Sequence, residues 1–300
     1  MKLFIIGNGF DLAHGYKTSY GNFREYLSEK GIMAGAFFIP DIFNDASEDD
    51  WSNFEELLED YDFVDWGSSY ASNIYVEDDN QQDRNMSYNN RLNDSYREIA
   101  YSLPSTIKAE LCSFIETATA HKSNKIESVE NLIKPRDLFV TFNYSFTLEE
   151  VYKIKKNQIL HIHKTIYSED EIIFGHGNQY LRSNPNPPEF DLSNPAGQLC
   201  NLNSEFKKNY QVPALIDFLE KKHVTQIIIM GHGLGVIDER YFQKINLLFP
   251  NLSLITYYFH YDKNLKNPYN QLISNENQIQ EKQEILSNLF PNKRIKIVEW

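Results

Sequence analysis

The chain has 300 residues and a formal charge of −13, from 29 Lys and Arg against 42 Asp and Glu. That balance disfavours a nonspecific grip on nucleic acid or anionic membrane, which comes from neutralising phosphates with cationic side chains; the two isolated cysteines, Cys112 and Cys200, make neither a disulfide scaffold nor a four-cysteine zinc site. No apolar run reaches membrane-spanning length and the apolar opening is too short for a secretory leader, so a cytoplasmic protein with one substantial core is expected.

In chain order, Lys2 to Ile6 is a short apolar run closed by Gly7, the pattern of a strand buried on both faces. A helix follows through Tyr20 to Leu27. From about residue 31 to 134 the pattern turns helical: Trp51 to Leu58 and Leu92 to Ile115 have helical apolar spacing, with Glu55 and Glu56 as a solvated flank. Within it, Glu77 to Asp94, including Asp78 to Asp83, has few apolar residues and reads as a surface loop. Thereafter strand signals (Leu138 to Thr141, Gln158 to His163, Glu171 to Gly175, Thr225 to Met230, Leu252 to Phe259, Arg294 to Val298) alternate with helical ones (Thr147 to Lys155, Ala214 to Lys221, Asp238 to Leu247, Gln278 to Leu289). An Asn/Pro-rich loop, Asn184 to Pro188, interrupts the series. Such alternation predicts a Rossmann-like three-layer α/β fold with a mostly parallel sheet, here one domain over residues 1–300 with a helical insertion at about 31–134.

The chemistry-bearing residues cluster where strands end, which in an open α/β sheet is where ligands bind. Gly7-Asn8-Gly9-Phe10-Asp11 follows the first strand. Its third fingerprint glycine is replaced by Leu12, yet glycines there still let backbone amides approach an anion. Asp11 fits a helix cap or a partner for a ribose hydroxyl. Thr141-Phe142-Asn143-Tyr144-Ser145 places the Asn143 carboxamide at a strand tip, as a catalytic group or a turn former. His161 and His163, two apart on a predicted strand, share a face and with His176 offer metal ligands, but no acidic cluster stands at metal-ligand spacing. The expectation is therefore no metal, with one histidine an acid/base and the other structural. Gly231-His232-Gly233-Leu234-Gly235 has the outline of a hydrolase nucleophile elbow, but Gly233 stands where the serine would be. What is left is a tight connection or a nucleotide cradle ahead of Asp238, itself a plausible helix cap.

The opening Phe4 to Leu12, with Gly15 and Thr18-Ser19-Tyr20-Gly21-Asn22-Phe23, closely resembles the bacteriophage abortive infection AbiH family. The resemblance extends through Thr141-Phe142-Asn143-Tyr144, Thr147-Leu148-Glu149, His161-Ile162-His163 and Phe174-Gly175-His176-Gly177. At one remove, the order of motifs is similar to sirtuin-like anti-phage domains that cleave NAD. That resemblance implies Asn143 and His163 as catalytic residues, with Lys164 standing where the relatives carry glycine. It implies a nucleotide site drawn from Gly7, Asn8, Gly9, Phe10, Asp11, His161, His176, Gly231, His232, Gly233 and Asp238. NAD+ is then a substrate and no true cofactor is expected; partners would be a second copy of the chain or a regulatory defence protein. The alternatives are a non-catalytic nucleotide sensor and a metal-dependent phosphoesterase or nuclease.

Overall fold

Residues 1–30, 54–60, 85–169, 171–177, 206–259 and 272–299 are described here in a computed structural model. They fall into two compact units: residues 1–18, 115–173 and 210–300, and residues 19–114 and 174–209. The Asn184 to Pro188 loop, the Asp78 to Asp83 run and Trp51 lie outside the described residues.

In the first unit, β1 (Lys2–Ile6) is buried from Leu3 onward, as its uninterrupted apolar side chains require. It lies between β2 (Leu138–Thr141) and β4 (Gln226–Met230), with β3 (Ile159–His161) beyond β2 and β5 (Leu254–Phe259) and β6 (Arg294–Glu299) beyond β4. Every pairing is parallel, so the six strands run β3-β2-β1-β4-β5-β6 with the connection reversing direction between β1 and β4. This is the doubly wound order, and its reversal point is where such sheets ordinarily admit ligands.

Alternate side chains feed two cores. Leu3, Ile5, Val140, Phe142, Ile227 and Ile229 enter the larger one, covered by α7 (Val212–Leu219), α8 (Glu239–Leu248) and α9 (Asn275–Leu289). Phe4, Ile6, Phe139, Ile228 and Met230 enter the other, covered by α1 (Asn8–Ala13), α5 (Glu127–Leu132) and α6 (Thr147–Glu150). Helices on both faces make the three layers, and each fully buried aliphatic side chain contributes about 1.5–3 kcal/mol.

The second unit contains α2 (Tyr20–Glu29), α3 (Phe54–Asp60) and most of α4 (Asn85–Ala118). Ser19 caps α2 by accepting from the Asn22 amide at 3.1 Å. Tyr20, Phe54, Phe174 and Phe206 form a ring-to-ring core. Glu55 is not a solvated flank: it accepts from the Gly175 amide at 3.2 Å and pairs at 2.8 Å with Lys208, whose side chain is buried.

Several boundaries differ from expectation for identifiable reasons. Helix α6 stops after Glu150 because Lys153 takes a left-handed φ of 58°. No strand forms at Glu171 to Gly175; the Ile173 amide donates to the His163 carbonyl, Gly175 has a φ of 129°, and only an isolated bridge joins His176 to Lys207. Residues 85–94, expected within a loop, are helical in α4. β3 ends at His161, so His163 sits in the turn that follows and the two histidines do not share one strand face.

At the reversal point the two glycine turns are packed against each other. The Gly7 amide donates to the Met230 carbonyl at 3.0 Å, and the Gly9 amide to the Gly231 carbonyl at 2.8 Å. A Cβ on Gly231, whose φ is +65°, would stand 2.1 Å from the Phe10 nitrogen, whereas one on Gly233 would meet nothing within 4 Å. The clash is with backbone, which cannot swing aside. Gly231→Ala should therefore lower unfolding free energy by roughly 2 kcal/mol or more, while Gly233→Ala stays within about 0.5 kcal/mol, as read from urea midpoints at constant slope.

Candidate functional site

Past Thr141, the Phe142 amide still donates to the Ile6 carbonyl at 2.9 Å and its ring enters the larger core. Asn143 follows at the strand tip and is buried. Its backbone turn is tied by the Thr141 hydroxyl, which accepts from the Asn143 amide at 3.1 Å, so the Asn143 side chain is not what makes the turn. The carboxamide Oδ1 is buried and has no hydrogen-bond partner among the described residues.

Asp11 is the centre of this side. It lies inside α1, whose N-cap is Gly7, and makes no capping bond. Instead its two carboxylate oxygens accept from the Ser145 and Thr147 hydroxyls, each at 2.6 Å. Burial pushes the Asp11 carboxyl up from its ordinary value, while hydrogen bonds from Ser145, Thr147 and Asn143 and the charge of His161 pull it down. Neither hydroxyl stood out in the sequence. The available signal was a pair of hydroxyl residues alternating just beyond a strand-end asparagine.

The histidine rings are pinned to successive carbonyls of the β2 tip. His161 directs Nδ1 to the Asn143 carbonyl at 3.3 Å and Nε2 to Glu149 at 2.9 Å. Glu149 was another residue that sequence reasoning passed over as a site member. His163 donates from Nδ1 to the Phe142 carbonyl at 3.1 Å, which leaves Nε2 facing Asp238 at 3.6 Å. His232 accepts from the Leu234 amide through Nδ1 at 2.9 Å, so its Nε2 carries the proton toward Asp238 at 3.4 Å. Asp238 occupies the N-cap position of α8 without making a capping bond; its carboxylate stands between two imidazoles instead. The edge of Phe142 packs on both rings.

The polar groups thus form two sets at the carboxyl edge of the sheet. Asp11, Asn143, Ser145, Thr147, His161 and Glu149 lie toward α1 and α6; His163, His232 and Asp238 border the larger core. An open cleft of about 590 Å³ adjoins the first set, walled by Phe146, Glu149, Glu150, Lys164 and Tyr167, and His161 is the sequence-selected residue that lines it.

The glycine turn does not offer the row of free donors expected of it. The amides of Gly7, Gly9 and Phe10 are engaged by the carbonyls of Met230, Gly231 and Gly7, and a donor already bonded to backbone is not available to a diphosphate. Asn8 clamps Thr18, donating to its carbonyl at 3.0 Å and accepting from its hydroxyl at 2.7 Å. Gly233 is exposed, its carbonyl 3.4 Å from Lys282 Nζ. His176 belongs to the second unit, where it is buried and its backbone bonds Phe206 and Lys208. Among the described residues, no three His, Cys, Asp or Glu side chains converge as a metal site. No described helix is long and apolar enough to cross a membrane.

An all-parallel, doubly wound sheet with its polar groups gathered at the carboxyl edge defines a Rossmann-like α/β protein. The sequence profile described as "Bacteriophage abortive infection AbiH" matches residues 3–260, and the chain belongs to that family. Its role accordingly lies in abortive infection by bacteriophage. Comparison with curated proteins gives no match.

The environment of Asp11 has a pH consequence. Folding raises its pKa, so the native state holds more protons than the unfolded chain from about pH 4 upward. Its contribution to stability is greatest below about pH 4 and declines as pH rises toward the native value. Asp11→Asn removes that titration, so its stability relative to wild type should improve between pH 4 and pH 7, checked by denaturation at each pH.

Proposed function

We propose that this AbiH protein is an abortive-infection effector that hydrolyses the nicotinamide–ribose bond of NAD+, depleting the nucleotide pool of an infected host. The observation that carries the reading is Asn143 Oδ1, an acceptor buried without a partner among the described residues at the carboxyl edge of a sheet with nucleotide-binding strand order. Leaving such a group unsatisfied costs about 1–3 kcal/mol, a cost that a site can carry when its ligand brings the donor. The order of motifs, similar to that of sirtuin-like NAD-cleaving domains, supports the same substrate.

Nicotinamide leaves NAD+ as a neutral molecule because the pyridinium is already cationic, so its departure needs no strong acid. The protein must hold the ribose, stabilise positive charge at its anomeric carbon and deliver water. In this reading Asn143 Oδ1 accepts from the water or a ribose hydroxyl. As the C–N bond breaks and the water C–O bond forms, His163 Nε2 takes the water's proton, and Asp238 at 3.6 Å compensates the imidazolium. The products are nicotinamide, ADP-ribose and one proton. NAD+ is consumed and no resident cofactor takes part. Gly7, Gly9 and Gly231 shape the floor of the edge rather than donating to phosphate. Such an activity is tolerable in the cytoplasm only when silent before infection, which calls for control by self-association or a defence partner.

Purified protein incubated with NAD+ should release nicotinamide, resolved chromatographically. Asn143→Ala and His163→Ala should each lower kcat by about 100-fold or more while retaining the wild-type circular dichroism. Unchanged turnover in both folded variants would remove these residues from the mechanism; a wild-type protein that leaves NAD+ intact would remove the activity.

A further inference from the structure

We infer that the open cleft beside His161 holds the adenosine diphosphate half of NAD+, with Lys156 and Lys164 meeting the diphosphate and the ring of Tyr167 stacking on the base. This rests on the NAD+-cleaving reading above and supplies what that reading still needs. The amides of Gly7, Gly9 and Phe10, the usual diphosphate donors after a first strand, are already bonded to backbone carbonyls. The charge of the diphosphate has to be met by other groups.

The residues that wall the cleft all belong to the first unit. Its volume of about 590 Å³ lies within the range of about 300–1,000 Å³ usual for small-molecule sites. His161 forms part of the wall, and its Nδ1 stands 3.3 Å from the Asn143 carbonyl, so the hollow begins at the backbone of a proposed catalytic residue. The chain as a whole has 42 acidic side chains against 29 basic ones, yet this wall sets Lys156, Lys164 and His161 against Glu149 and Glu150. Glu149 pairs with His161 Nε2 at 2.9 Å, which sets two lysines against Glu150. The local balance thus runs opposite to that of the molecule and favours an anion.

Tyr167 is a large ring left 65% exposed, but it is held in place. Phe146 stacks on it with centroids 5.4 Å apart and planes 21° apart. Its hydroxyl donates to Glu116 at 3.0 Å, and its turn is closed by the Thr165 amide donating to the Ser168 hydroxyl at 2.9 Å. With one face on Phe146, a fixed ring offers the other to a planar base at little cost in side-chain entropy. Lys164 has a φ of 63°, a conformation that glycine adopts without strain. Lys153 and Lys221 adopt it just past α6 and α7, where it ends a helix. Lys164 follows β3 instead and lines the cleft, the kind of position where backbone strain is retained for a ligand.

ADP is the probe, because it carries the half in question and lacks the scissile bond. By titration calorimetry it should bind the ligand-free protein, more weakly as salt rises. Lys156→Ala, Lys164→Gly and Tyr167→Ala should each raise the ADP Kd about fivefold or more, whereas Tyr167→Phe, which keeps the ring, should stay within about threefold. Lys164→Gly relieves the left-handed backbone, so its urea midpoint should hold or rise while affinity falls, a split that a purely structural lysine would not give. ADP should also compete with NAD+, raising KM and leaving kcat unchanged. The assignment is overturned if ADP does not bind wild type, if it binds all of these variants equally, or if it inhibits NAD+ cleavage without competing. If ADP binds with the expected variant pattern and wild type leaves NAD+ intact, the nucleoside diphosphate site stands and the NAD+-cleaving reading falls alone.

Discussion

A carboxyl group removed from water must find hydrogen-bond partners inside the protein, and Asp11 imposes that demand on the carboxyl edge. Its donors are the hydroxyls of Ser145 and Thr147, so satisfying one buried carboxyl group on α1 fixes the course of the chain leaving β2. That course sets the carbonyls of Phe142 and Asn143 on which the His163 and His161 rings are held. The histidines are thus placed by backbone that is itself placed by a side chain from another element.

The second constraint is steric. In many doubly wound proteins the reversal point opens as a crevice for a dinucleotide. Here Gly7 and Gly9 donate directly to the carbonyls after β4, and a methyl on Gly231 would overlap the Phe10 nitrogen. The crevice is filled by the protein's own main chain. Among the described residues, the partnerless Asn143 Oδ1, the two imidazoles beside Asp238 and the cleft at His161 are the polar features of this edge.

Much of this architecture was legible because a parallel sheet writes itself as apolar runs separated by helical periodicity; Leu138 to Thr141 needed no adjustment. Ile172 and Phe174 show the limit of that signal, since they are buried without belonging to a ladder. Hydrophobicity reports burial, and says nothing of where a backbone amide finds its acceptor. Asn143 could be singled out because a polar residue terminating a buried run is conspicuous. The roles of Asp11 and Asp238 could not, because a carboxylate near a helix start reads as a cap. Their actual partners come from distant parts of the chain: Ser145 and Thr147 are 134 and 136 positions from Asp11.

The first strand is also the most central. β1 pairs with residues 138–141 on one side and 226–230 on the other, so both of its ladders join segments far apart in sequence, the kind of contact that forms slowly. The carboxyl edge is therefore complete only once both of these sequence-distant neighbours have paired with β1.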